Sequence, residues 1–70
     1  MKKFKLKPDE EYIELNNLLK VLSWVGTGGE AKARIDDGEA SVNGEKEMRR
    51  RKKLRSGDVV MFAGKEVTIE

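Results

Sequence analysis

The sequence predicts an α+β fold in which two short helices pack on a small, mainly antiparallel β-sheet. Three observations carry that prediction. Leu15, Leu18, Leu19 and Leu22 fall at i, i+3, i+4 and i+7, one apolar stripe of a helix. Thr27 to Gly38 reads as a second helix with a capped start and a glycine stop. After it come the short β-prone runs Ala40-Ser41-Val42, Val59-Val60-Met61-Phe62 and the alternating Val67 and Ile69. Asn43-Gly44, Ser56-Gly57-Asp58 and Ala63-Gly64-Lys65 separate them as turns.

Near the start, Phe4 and Leu6 alternate with Lys3, Lys5 and Lys7, a strand pattern with one apolar face. Pro8-Asp9-Glu10 then reads as a turn, and Tyr12-Ile13-Glu14-Leu15 as a strand returning beside the first. A helix opening at Pro8 is the competing reading, because proline followed by acids also suits a first helical turn. In the first helix the leucine stripe is core, Asn16 is the expected N-cap, and the end falls near Ser23. Trp24 is the only tryptophan. As a ring closing the core between the helices it suits a chain short of large apolar residues; the other reading is an exposed stacking platform.

The second helix opens with Thr27 and, three residues later, Glu30, the spacing of a capping box. Ala31 and Ile35 lie one turn apart on one face, and Gly38 stands where a helix commonly ends in a left-handed residue. Gly26, Gly28 and Gly29 surround Thr27, and glycine at a helix start lets a phosphate approach the backbone. The string lacks the Walker lysine spacing and follows no apolar strand, so it marks no nucleotide site. Asp36 and Asp37 point about 100° apart on a helix, which suits solvated acids better than a catalytic pair.

Asn43-Gly44 is a strong two-residue hairpin signal, after which the chain turns back. If residues 48–54 are extended, Met48, Arg50, Lys52 and Leu54 share the core side. Arg49, Arg51 and Lys53 then form an outward row with a spacing of about 7 Å. That is near the separation of successive phosphates on a nucleic acid strand. The last two strands back the helices. The expected core is Leu15, Leu18, Leu19, Leu22, Ile35, Val42, Val60 and Ile69.

Seventy residues predict one domain, spanning 1–70. The absence of both cysteine and histidine excludes disulfides, thiolate chemistry and most zinc sites. No catalytic residue, metal ligand or cofactor is expected. No apolar run reaches the length of a membrane span and no signal-peptide core follows the first lysines, so a cytoplasmic protein is expected. The net charge of +2 says little, but its distribution says more. Residues 49–55, RRRKKLR, carry six of the fifteen basic side chains and no acid. The remainder has nine basic and thirteen acidic residues, a balance of −4. Such segregation is the footprint of a surface that meets a polyanion, although a solvated or disordered basic loop would give the same composition.

The order Ala31-x-x-x-Ile35-x-x-Gly38-x-x-x-Val42-Asn43-Gly44, followed by the basic run and then Gly57-Asp58, resembles the S4-type RNA-binding domain, or alpha-L motif. The resemblance runs from about Leu15 to Ile69 and is to the short stand-alone bacterial members. In that family a helix pair and a β-hairpin form one RNA-binding face. Many members begin the second helix with Ser-Arg where this chain has Thr27-Gly28. The cap is kept, but no arginine contact carries over. Arg34 stands where an aliphatic residue is usual, and its stem replaces part of that packing.

The resemblance implies a non-catalytic protein that recognises structured RNA, ribosomal or transfer RNA being the expected class, through shape and phosphates. Together with the segregated charge it points to Thr27, Gly28, Lys32 and Arg34 of the second helix as contacts, joined by Arg49, Arg50, Arg51, Lys52, Lys53 and Arg55 of the basic segment. A monomer is expected, with an RNA-processing or ribosomal protein as a further partner and any catalysis supplied by that partner. The alternative class is a protein-interaction adaptor docking its basic strand on an acidic surface. An enzyme is disfavoured, because no acid, base, nucleophile and metal set converges.

Overall fold

The computed structural model describes residues 2–70. Among them the elements run β1 (Lys2–Phe4), β2 (Ile13–Glu14), α1 (Leu15–Val21), α2 (Gly28–Asp36), β3 (Ala40–Val42), β4 (Glu45–Lys46), β5 (Lys53–Leu54), β6 (Val59–Phe62) and β7 (Lys65–Ile69). Neither helix is long and apolar enough to cross a membrane.

In α1 the leucine stripe buries Leu15, Leu18 and Leu19 completely. Leu22 is the C-cap residue and only half-buried at the margin of the core, because the stripe outlasts the helix. Asn16 is not the N-cap; Glu14 holds that position and makes no side-chain cap. The acceptors come from far along the chain instead. The Leu15 amide donates to the Lys52 carbonyl at 3.0 Å and the Asn16 amide to the Arg50 carbonyl at 2.9 Å. Two of the four amides that a helix start leaves open are thereby satisfied by the basic segment.

In α2, Thr27 Oγ1 accepts from the Glu30 amide at 3.1 Å. Glu30 Oε1 reaches back to the Gly26 amide at 2.8 Å, one residue earlier than in a reciprocal capping box. The helix ends as a Schellman motif. Gly38 takes φ +80°, its amide donates to the Ile35 carbonyl at 2.9 Å, and the Glu39 amide donates to the Arg34 carbonyl at 3.2 Å. A Cβ on Gly38 would also stand 3.1 Å from the Lys46 side chain, so glycine supplies space as well as conformation.

The main sheet has the order β1-β7-β6-β3-β4. Its contacts are antiparallel except where β1 joins β7, with Lys2 opposite Val67 and Phe4 opposite Ile69. The expected return of Tyr12-Ile13-Glu14-Leu15 beside the first strand is therefore overturned. The turn at Pro8-Asp9 forms, closed by the Glu10 amide on the Lys7 carbonyl at 2.9 Å. Its two flanks then part. The edge of β7 offers the first flank a ladder extended by Leu6 N–H to the Glu70 carbonyl and Glu70 N–H to the Phe4 carbonyl. The second flank, β2, pairs with β5 in a separate ribbon, Ile13 opposite Leu54 and Glu14 opposite Lys53. Leu15 belongs to α1.

Asn43 and Gly44, at φ +53° and +86°, form the type I′ turn that their sequence predicts between β3 and β4. Asn43 does more than turn the chain. Its Oδ1 accepts from the Val59 amide at 2.9 Å, and its Nδ2 donates to Asp58 Oδ1 at 3.1 Å. Asp58 Oδ2 accepts from the Arg55 amide at 2.8 Å. These two side chains tie the hairpin tip to the turn that ends the basic segment.

Both helices face one apolar cluster contributed by the sheet and the ribbon. Of the eight expected core residues all but Leu22 are buried; Ile13, Val25, Ala31, Ala40, Leu54, Phe62 and Val67 join them. Among the described residues no polar or charged residue is buried. Trp24 is half-buried and stacks on Phe62, with ring centroids 6.1 Å apart and planes 5° from parallel. The Arg34 guanidinium lies 4.8 Å from the same ring. Phe62 thus joins the core to the only tryptophan and to the arginine that replaces an aliphatic residue.

Candidate nucleic-acid interface

The basic segment is not the strand that residues 48–54 were expected to form. β4 stops at Lys46, the Lys52 amide closes a turn onto the Arg49 carbonyl at 3.1 Å, and only Lys53–Leu54 is extended. The backbone explains the difference. The carbonyls of Arg50 and Lys52 serve the first turn of α1, a role that a straight strand paired to a neighbour would deny them. The expected alternation of faces fails with it. Met48 is 50 % exposed instead of turning to the core, whereas Leu54 is fully buried.

The turn gathers charge. Arg49, Arg51, Lys52, Lys53 and Arg55 line an open depression of about 530 Å³, with no acidic or apolar residue in its lining. Arg50 lies exposed on the turn outside that lining. Among the described residues, Arg50, Arg51, Lys52, Lys53 and Arg55 form no ion pair. A concavity walled by one sign of charge concentrates its field and raises the local concentration of anions.

Arg49 differs from its neighbours. Its Nε donates to Glu47 Oε2 at 2.9 Å, its terminal nitrogen to Oε1 at 3.3 Å, and its backbone amide to Oε2 at 3.0 Å. The Glu47 side chain is 13 % exposed and that of Arg49 is 72 %. The guanidinium hydrogen bond, supported by the Arg49 amide and by the charges of Arg49 and Lys52, holds the Glu47 carboxyl below the usual carboxylate range. A depressed pKa contributes stability above the unfolded value and loses it as pH falls through the folded value. Glu47 is therefore the acid that competes with any phosphate for Arg49. Glu47→Gln is expected to leave a heparin column at distinctly higher salt than Glu45→Gln, which removes an equal charge from an exposed acid in the same hairpin. Equal elution would show that the Glu47 contact restrains nothing.

The expected contacts on α2 lie outside the depression. Thr27 is occupied as a cap, and Gly28 is the exposed first residue of the helix. Lys32 pairs with Asp36 at 3.2 Å. Arg34 pairs with Glu39 at 2.8 Å and Glu30 at 3.4 Å while covering Phe62. The Glu39 hydrogen bond raises the Arg34 pKa, and Arg34 lowers that of Glu39 in return. Two residues near the basic segment were not expected at the site. Glu47 is signalled only by its place two positions before Arg49. Tyr12, with Lys53 Nζ 5.0 Å and Arg55 Cζ 5.6 Å from its ring centroid, is brought there by the β2–β5 pairing.

A helix pair leading into a β-hairpin, backed by a small sheet, is the alpha-L arrangement, an RNA-binding class of fold. Residues 5–70 match the family model described as the S4 domain, and the chain belongs to that family. It is 40 % identical over 58 residues to a protein of Escherichia coli (strain K12) named "Putative RNA-binding protein YbcJ", covering 83 % of each chain. It is 41 % identical over 56 residues to "Probable ribosome maturation protein RlbA" of Bacillus subtilis (strain 168), covering 80 % of this chain and 79 % of that one. The solution structure of E. coli YbcJ, described as an alfaL motif involved in RNA-binding, superposes with a TM-score of 0.74 at 38 % identity. It covers 99 % of this chain and 86 % of the other. Ribosomal protein S4e of Thermoplasma acidophilum shares the fold, with a TM-score of 0.63 at 16 % identity over 83 % of this chain and 31 % of its own.

Proposed function

We propose that this chain is a non-catalytic, monomeric RNA-binding domain that holds a structured RNA at the depression lined by Arg49, Arg51, Lys52, Lys53 and Arg55. The observation that carries the reading is the convergence of five cations in one concavity, four of them without an acidic partner among the described residues. Phosphates of a folded RNA supply the complementary charge, and Arg50, exposed on the same turn, adds to the contact. Thr27 acts through the cap that fixes the start of α2. Arg34 acts through its packing on Phe62. The name of the E. coli relative supports RNA as the partner, and that of the B. subtilis relative supports a link to the ribosome.

The test is binding of an RNA hairpin and of double-stranded DNA of equal length over a range of salt. Neutralising about four phosphates gives a slope of log K against log salt near −3 to −4. RNA is expected to bind more tightly than DNA where A-form shape and 2′-hydroxyls are read. Equal affinity would reduce the site to a generic polyanion binder. A protein that binds neither, but is retained by an acidic protein surface, would be an adaptor instead.

A further inference from the structure

We propose that Tyr12 is a stacking platform for an unpaired nucleobase whose adjoining phosphates are held by Lys53 and Arg55. The inference rests on the RNA-binding reading above and narrows the ligand to RNA that carries a bulge or loop. It begins with register. Ile13 and Leu54 are opposite one another and both buried, so the alternating side chains Tyr12, Glu14, Lys53 and Arg55 share the outer face of the β2–β5 ribbon. Tyr12 is half-buried, which anchors the ring and leaves part of it open. Lys53 Nζ and Arg55 Cζ stand 5.0 and 5.6 Å from its centroid, and both residues also line the cationic depression. Ring and phosphate site therefore adjoin.

A nucleotide presents the same two groups together, an anion and a flat π-surface. When phosphates draw the two cations into the depression, the face of Tyr12 that they cover in the free protein becomes available to a base. Base–aromatic stacking accepts any base, because each has a π-face. Glu14 shares this face but pairs with neither cation. Trp24 does not compete for the role. Its ring is stacked on Phe62, and Lys65, whose ammonium stands 5.8 Å from its ring centroid, is not a lining residue of the depression. Within a continuous duplex the base faces are already stacked on one another, so the platform selects RNA with a nucleotide out of the helix.

Two RNAs with equal numbers of phosphates, a continuous duplex and a duplex with a single-nucleotide bulge, separate this idea from simple charge attraction. Tyr12→Leu is expected to lose about tenfold in affinity for the bulged RNA and almost none for the duplex. Tyr12→Phe retains both affinities, and the salt slope stays unchanged throughout. An equal loss on both RNAs, no loss on either, or a Phe variant as weak as the Leu variant overturns the stacking role while leaving RNA binding intact. A parent protein that binds neither RNA overturns both readings. Should Tyr12→Leu melt well below the parent, the unaltered protein decides. Photocrosslinking from 4-thiouridine in the bulge is expected to mark the peptide containing Tyr12, and a crosslink elsewhere overturns the assignment.

Discussion

Phe62→Ala is expected to destabilise the protein by about 3–5 kcal/mol and to lower its melting temperature by about 15–30 °C. Phe62 is fully buried on β6, stacked with Trp24 on one contact and covered by the Arg34 guanidinium on another. Truncation leaves a cavity and removes the surface on which both partners rest. Seventy residues support roughly 4–10 kcal/mol of total stability at the usual value per residue, so the substitution removes at least about a third of it. Met61→Ala, one residue earlier but 43 % exposed, is the control and should melt close to the parent. Thermal melts followed by circular dichroism check both. A Phe62→Ala protein as stable as Met61→Ala would mean that the sheet does not carry the core in this way.

The second large effect concerns binding. The triple variant Arg51→Ser/Lys53→Ser/Arg55→Ser is expected to bind an RNA hairpin about 100-fold more weakly near physiological salt. Each phosphate left without its cation should flatten the salt plot by roughly 0.7 to 0.9, giving a slope lower by about 2 to 3 units. Lys2→Ser/Lys3→Ser/Lys5→Ser removes the same charge from the neighbourhood of β1, where the lysines are exposed. Long-range attraction falls comparably in the two triples, so their difference reports the geometry of the site. Equal weakening would reduce recognition to net charge. Comparing Arg49 and Arg51 with Arg50 and Lys52, as a strand would invite, is uninformative here, because the turn places Arg51 and Lys52 in the same lining.

What could be read from the sequence was whatever depends on near neighbours. The Thr27 cap, the Gly38 stop, the Asn43-Gly44 turn and the leucine stripe each arise within a few residues, and each is in place. Pairings between distant segments were not legible. Nothing around Phe4 announces that its partner is Ile69, and nothing around Asn16 announces that the Arg50 carbonyl replaces a side-chain cap. The candidate site divides along the same line. Its charges were plain in RRRKKLR, but their arrangement depends on a turn imposed by hydrogen bonds to α1. The placing of Tyr12 beside Lys53 depends on the distant β2–β5 pairing, and the restraint of Arg49 by Glu47 on side-chain geometry that a count of charges does not contain.

The acceptors that start α1 are main-chain oxygens of residues 50 and 52, atoms that every amino acid carries. Over generations, side chains there can be exchanged without loosening the helix, so a lineage can change its preference among RNAs while keeping its scaffold. Length has no such latitude. One residue added or deleted between Arg49 and Leu54 would carry a carbonyl away from the amide it serves and leave that amide open. The loop is thus tolerant of substitution and intolerant of insertion. Diversity among descendants of this backbone should appear at that place as altered letters in a window of constant size.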